Sequence, residues 1–159
     1  MTDMKFSSIW NIWAHDVYNK DWSLQSYKHI MKIENVGDMW SFLNNIKEFN
    51  YMKTHFFIMR DNIKPIWEDD QNRNGGTCKF KFDNDALDAW EEFVIHTLNE
   101  DIVSNFNTIN GVSFNPKNSC TIIKIWNSKN KDVQDTLNPK LKDKYKDISI
   151  KYDSNQPEY

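Results

Sequence analysis

The chain's most chemically suggestive residues are an acid set directly beside an indole, in the run Pro65-Ile66-Trp67-Glu68-Asp69-Asp70. A second indole, Trp22, sits in another polar segment between Asp21 and Ser23. A large ring in a hydrophilic loop stays exposed unless a ligand or partner covers it. Two chemistries fit. One is catalysis by paired carboxylates, with Glu68 and Asp69 or Asp70 as acid and base. It needs two acids facing each other across a cleft, and no second isolated acid in a comparable setting stands out. The other is recognition of a flat cationic base. Two indole faces would sandwich it by stacking and cation–π attraction, while a carboxylate accepts hydrogen bonds from its N–H edge. A purine methylated on N7 carries delocalised positive charge, and the guanine Watson–Crick edge offers two N–H donors to one carboxylate. One acid and two rings suffice, with stacking contributing on the order of 1–3 kcal/mol per base.

The remaining candidates read as structural. Seven tryptophans are present, and Trp10, Trp13, Trp40 and Trp90 fall on strand or helix stripes that predict core positions. His15, His29, His55 and His96 have no serine or cysteine partner at a recognisable spacing. Gly75-Gly76 is too short for a phosphate-cradling loop and predicts a tight turn into the following strand. Cys78 and Cys120 match no metal spacing and read as reduced thiols, so neither a metal nor a cofactor is expected.

Composition narrows the ligand. The chain has 159 residues, 39% hydrophobic and 14% aromatic, with a net charge of −3 and a pI near 5.8. That length predicts one domain over 1–159, with flexible ends at 1–7 and 153–159. A protein holding nucleic acid mainly by its phosphates would be basic, so a nucleic-acid ligand here should be short or gripped through its bases. The first twenty residues hold no apolar signal core, and no stretch approaches about 18 apolar residues. A cytoplasmic protein without membrane contact is expected. Abundant Asn, Lys, Ile and Asp point to an AT-rich genome, viral or protist.

Strands and helices must position these residues. Ser8–Asp16 alternates around Trp10, Ile12 and Ala14, and Gln25–Ile33 places Tyr27, His29, Met31 and Ile33 on one face. Asn19–Leu24 between them is a polar loop carrying Trp22. The spacing of Val36, Met39, Trp40, Leu43 and Ile46 predicts a helix over 35–49 capped by Asn35. Thr54–Met59 and Thr77–Phe82 read as strands flanking a long loop, the second with Cys78, Phe80 and Phe82 buried against wet Lys79 and Lys81. Asp83 or Asp85 should cap a helix running to about Asn99. Gly111–Pro116 and Thr121–Trp126 read as a strand pair. A turn and a short helix near Pro139 follow, because proline forbids one unbroken helix over 132–145, and Ile148, Ile150 and Tyr152 mark a last strand. The pattern predicts an α+β fold. About seven to eight strands, mostly pairing with their sequence neighbours, form an antiparallel sheet with helices on one face and a ligand on the other.

The order of these residues resembles the translation initiation factor 4E family, which binds the messenger-RNA cap. The resemblance runs from about Ser8 to Tyr152 through Trp10-Asn11-Ile12-Trp13, Trp22, Val36-Gly37-Asp38-Met39-Trp40, Pro65-Ile66-Trp67-Glu68-Asp69, Gly75-Gly76, Trp90 and Ile123-Lys124-Ile125-Trp126. It implies a curved antiparallel sheet with three helices on its convex face. It also implies that Trp22 and Trp67 sandwich 7-methylguanine, Glu68 and the Trp67 backbone N–H read its edge, and Trp126 touches the N7-methyl. Val36, Trp40, Glu92 and Ile95 match the patch that takes a Tyr-x-x-x-x-Leu-hydrophobic helix from a 4G-type scaffold or an inhibitory binding protein. The implied protein is a non-catalytic, monomeric cap-binding factor that recruits messages for translation. An alternative is a homologue that sequesters capped RNA, or reads a variant cap, without a scaffold. The chain departs from the family in its basic residues. Lys117 matches a family arginine, but Asn118-Ser119-Cys120-Thr121-Ile122 lacks the family's lysines and Thr77-Cys78 replaces a basic residue and tryptophan. Lys124 is the expected substitute, with fewer phosphate contacts and weaker salt dependence. Glu91 stands where the family prefers an aliphatic residue, and the segment closing over the cap is short.

Overall fold

Strand order governs everything that follows. The computed structural model describes residues 4–155 apart from Asn84. Seven strands form one sheet in the order β2-β1-β3-β5-β6-β4-β7, with every pairing antiparallel. They are β1 (Lys5–Asp16), β2 (Lys28–Asn35), β3 (Thr54–Arg60), β4 (Gly76–Phe82), β5 (Ile109–Pro116), β6 (Thr121–Asn127) and β7 (Ser149–Ser154). Only β1–β2 and β5–β6 join strands consecutive in sequence, so the expected pairing of mostly sequence neighbours gives way to crossovers. Three crossovers carry a helix: α1 (Val36–Asn44), α2 (Leu87–Leu98) and α3 (Pro139–Lys144). The fourth, from β3 to β4, is the loop over 61–75.

Alternation along the strands sorts residues between two faces. Trp10, Ile12 and Ala14 of β1 join Phe56 and Ile58 of β3, Cys78 and Phe80 of β4, Val112 and Phe114 of β5, and Ile123 and Ile125 of β6 in the main core. Against them pack Met39, Phe42 and Leu43 of α1, and Trp90, Phe93, Val94 and Leu98 of α2. A smaller cluster of Phe57, Met59, Ile63 and Trp126 lies on the opposite face, with Trp13 and Tyr27 against it. Trp10 and Trp90 are core as expected, Trp40 is half-buried against the core, and Trp13 belongs to the second face.

Local chemistry explains where elements begin and end. The Asn35 side chain accepts from the Asp38 backbone N–H at 2.8 Å, and the Asp38 carboxylate accepts from Glu34 N–H at 2.9 Å, closing the start of α1. The helix stops at Asn44 rather than at 49, because the Asn45 side chain donates to the Ser41 carbonyl and competes with the helical ladder. A 3-10 turn at Ile46–Glu48 follows. At α2 it is Asp85, not Asp83, that accepts from Leu87 N–H, at 3.0 Å. Pro139 opens α3, where its missing N–H costs nothing, and Asn138 caps it.

Other expectations change as well. The strand expected from Gln25 begins at Lys28 after a 3-10 turn at Leu24–Ser26. The β1–β2 register shifts between Ile12 and Trp13, so the four residues expected on one face divide. Met31 and Ile33 join the main core, while Tyr27 joins the second cluster and His29 meets Trp13 edge-on at 5.0 Å. A bulge flips the face beyond it. The flexible ends also shrink: Lys5–Ser7 lie in β1, Asp153 and Ser154 lie in β7, and Asn155 N–H donates to Gly75. Residues 1–3 and 156–159 lie outside the described residues. An Asn35→Ala variant is expected to lose about 1 kcal/mol of stability through its lost helix cap, measured by urea denaturation.

Candidate base-binding cleft

The β3–β4 loop has to pass the ends of β5 and β6, which lie between its two strands. A loop in that position needs partners for its backbone groups, and side chains supply several of them. Asn72, fully buried, donates to the Lys64 and Ile66 carbonyls at 3.0 and 2.8 Å and accepts from Asn110 at 2.9 Å. Asp69 accepts from the Lys64 and Gln71 N–H groups at 2.8 and 2.9 Å. Asn155 donates to the Asn72 carbonyl, which ties the loop to the end of β7. With its inner side held this way, the loop presents Trp67 outward, 49% exposed, beside exposed Glu68.

Gly75 and Gly76 serve this anchoring by a different property from the one expected. No glycine has positive φ. A Cβ on Gly75 would lie 1.8 Å from the Asn127 carbonyl oxygen, and one on Gly76 would lie 2.2 Å from the Tyr152 hydroxyl. Close approach, rather than turn geometry, requires glycine here.

Trp22 is set by short side-chain turns and one ring stack. Asp16, Asn19 and Asp21 each accept from the backbone N–H two residues on, a pattern typical of Asp and Asn. The imidazole of His15 stacks on the indole at 3.9 Å with the planes 8° apart, and its Nε2 lies 2.6 Å from the Asp21 carbonyl oxygen. Trp22 keeps 46% of its surface exposed.

Trp126 forms part of the cleft floor. It is nearly buried, packs edge-on against Phe57 at 6.2 Å, and its Nε1–H donates to Ser113 Oγ at 3.0 Å. Ser113 donates to Asn115 Oδ1 at 2.9 Å, and the Asn115 amide meets His55 Nδ1 at 3.1 Å. An amide nitrogen only donates, so His55 must accept at Nδ1 and stay neutral. Burial, reinforced by Lys117, His15 and Lys124 against the opposing Asp16, pushes His55 down to about 4. Burial and the nearby Glu68 carboxylate raise the Tyr27 hydroxyl well above its usual range.

The six residues expected at a ligand site meet in one cleft of about 640 Å³. Trp22, Trp67, Glu68, Trp126, Lys117 and Lys124 line it together. Among the lining residues that sequence reasoning missed are Tyr27, His55, Lys79 and Asp153. The signal for Lys79 was present, since alternation put it opposite buried Cys78 and Phe80, but its face could be assigned to the cleft only once the sheet was ordered. Lys79 and Lys124 are direct cross-strand partners, and Lys79 Nζ pairs with Asp153 at 2.7 Å.

The residues expected to meet a partner protein lie on α1 and α2, the helices of the main core. Val36, Trp40, Glu92 and Ile95 are each half-buried. Glu92 is engaged within the chain, accepting from Lys144 Nζ and from the Tyr145 hydroxyl at 3.1 Å. Among the described residues no group of three metal-binding side chains occurs, and no helix is long and apolar enough to cross a membrane. Cys78 is buried and Cys120 partly so, both as free thiols.

Two exposed indoles, an exposed carboxylate and a lysine-lined end on the open face of a helix-backed sheet suit a protein that recognises a flat ligand carrying negative charge. The chain belongs to the Eukaryotic initiation factor 4E family, whose pattern it matches over residues 5–158. It is similar to a factor 4E homolog of Acanthamoeba polyphaga mimivirus, 26% identical over 138 residues covering 71% of this chain and 51% of that protein. Factor 4E of Eremothecium gossypii is 27% identical over 161 residues, 96% of this chain and 74% of that one. The chain thus spans about half the length of the mimivirus relative, and 62% of factor 4E from Candida albicans.

Solved structures share the fold. Caenorhabditis elegans eIF4E-3, in complex with the 4E-binding protein Mextli and a cap analog, superposes with a TM-score of 0.81 at 23% identity, covering 96% of this chain and 93% of that one. Ascaris suum eIF4E-3 with m7G cap superposes with a TM-score of 0.83 at 21% identity, covering 99% and 94%.

Two outcomes test the site's architecture. Asn72→Ala should speed hydrogen exchange across 61–75 and cost about 1–3 kcal/mol, because it removes the partner of the Lys64 and Ile66 carbonyls. His55 is protonated in the unfolded chain near pH 6.5 but in the folded chain only near 4. Stability attached to its neutral form is therefore present above about 6.5 and lost as pH falls towards 4. In His55→Gln the stability difference between pH 7.5 and 4.5 should shrink by about 2–3 kcal/mol; an unchanged difference by denaturant titration overturns the assignment.

Proposed function

We propose that this cleft binds the 7-methylguanosine 5′ cap of messenger RNA, and that the chain is a cap-binding domain which recruits capped messages for translation initiation. The observation carrying the proposal is that Trp22 lines one cleft with the Trp67-Glu68 pair, from which it is distant in sequence. The base stacks between the two indoles, whose faces attract its positive charge. Glu68 accepts from the guanine N–H edge, the Trp67 backbone N–H meets the guanine oxygen, and Trp126 contacts the N7-methyl from the floor. Lys117 and Lys124 take the phosphates. Family membership supports this reading, as does the similar fold of an Ascaris suum eIF4E-3 solved with m7G cap.

The role is binding rather than catalysis. Asp69, the acid nearest Glu68 that a hydrolase would enlist, holds its own loop through two backbone N–H groups. Asp70 pairs with Arg73, and the other acid lining the cleft, Asp153, is paired with Lys79. On the helix face, Val36, Trp40, Glu92 and Ile95 receive a helix from a 4G-type scaffold or an inhibitory binding protein. A similar fold solved with a 4E-binding protein supports that partner class. Cytoplasmic action fits the family.

Tryptophan fluorescence should fall on titration with 7-methyl-GTP and barely respond to GTP; equal affinity for both sinks the cationic-base reading. Trp22→Ala and Trp67→Ala should each abolish retention on a cap-analogue resin while circular dichroism stays unchanged. Each loss corresponds to about 1–3 kcal/mol of stacking. Capture of a 4G-type peptide at micromolar concentration separates message recruitment from sequestration.

A further inference from the structure

The phosphate end of the cleft is built differently from its base end. Basic residues are absent from the turn after Lys117, which reads Asn118-Ser119-Cys120. Two lysines stand instead on the strands, directly opposite each other: Lys79 on β4 and Lys124 on β6. Like charges facing across a ladder repel. Burial, with Lys79 and Lys117 adding to it, pushes Lys124 down to about 8 despite the opposing Asp153. One carboxylate offsets the cluster. Asp153 sits on β7, beside β4, and its Oδ2 pairs with Lys79 Nζ at 2.7 Å, while Lys151 approaches its other oxygen at 3.8 Å. The hydrogen bond from Lys79 holds the Asp153 carboxyl below its usual range. Lys79, Lys117, Lys124 and Asp153 all line the same cleft as Trp67 and Glu68.

We propose that Lys79 is a phosphate-binding residue of this cleft and that Asp153 is its built-in competitor, occupying the lysine until a ligand's phosphate chain displaces the carboxylate. The inference rests on the base-clamp reading above for what holds the ligand's other end. A polyphosphate brings several charges and many acceptor oxygens to a site where the protein supplies one carboxylate. Charge-assisted contacts to Lys79 and Lys124 therefore favour exchange. The Lys79–Asp153 pair is accessible enough for it, with side chains 32% and 38% exposed. Asp153 holds Lys79 in the empty state, and it also sets a threshold: ligands with a short or absent phosphate chain do not displace it.

The test compares 7-methyl-GTP with 7-methylguanosine, which share the base and differ in the phosphates. Lys79→Met should reduce the preference for the triphosphate about tenfold, and Asp153→Asn should raise it about three- to tenfold. Neither variant should change affinity for 7-methylguanosine, which also reports that both remain folded. An unchanged preference in Lys79→Met, or a lowered one in Asp153→Asn, overturns the proposal. Equal weakening towards both ligands assigns the residue to the fold and overturns it as well. If the unaltered chain takes up no 7-methylguanosine, the base-clamp reading fails and this inference falls with it. Intact nucleoside binding with an unmoved preference sinks the phosphate inference alone.

Discussion

Because β5 and β6 lie between β3 and β4, the chain must carry a polar loop past their ends, and that loop is the one bearing Trp67 and Glu68. Water alone cannot satisfy the inner side of such a loop, so buried side chains must. Asn72 does most of this, reaching two carbonyls of its own loop and the side chain of Asn110. Asp69 closes the outer turn, and Asn155 ties the loop to the last strand. The acid beside the indole is thereby a product of the crossover. Asp69 and Asn72, which cap and anchor the loop, leave Trp67 and Glu68 just before them facing solvent.

The opposite wall is held by different means. Trp22 is held by buried His15, which lies flat against its ring and meets the Asp21 carbonyl through Nε2, and a series of Asp and Asn turns shapes the loop around it. Between the walls, a hydrogen-bonded line runs from Trp126 through Ser113 and Asn115 to His55. It crosses β6, β5 and β3 beneath the cleft and requires a neutral imidazole. Trp126 Nε1–H, Ser113 Oγ and Asn115 Oδ1 are therefore committed within the floor. The exposed rings, Glu68 and the lysines line the space above it.

Much of this was legible in the sequence. Trp22 and Trp67 stand out as indoles in polar loops, Glu68 as an acid beside one of them, and Asn35 and Pro139 as helix starts. Those features depend on a residue and its immediate neighbours. Other features misled for equally local reasons. The alternation of Gln25–Ile33 suggested one continuous face, but a bulge opposite Trp13 reverses it. The glycine pair suggested a turn, while the structure requires it for backbone close approach to Asn127 and Tyr152.

The sequence alone determined which side chains have binding chemistry, the two-faced pattern of the strands and the family to which the chain is similar, because all three are written in residue type and short-range spacing. Tertiary structure decided which distant residues share a space. Lys79, Lys124 and Asp153 are 45 and 29 residues apart along the chain, and only the order β6-β4-β7 sets them side by side. Strand order depends on the balance of crossover connections and core burial over the whole chain, and no local window contains it. For that reason the exposed indoles and the acid beside one of them were readable from the sequence, whereas the charged end of the cleft became visible only in the folded sheet.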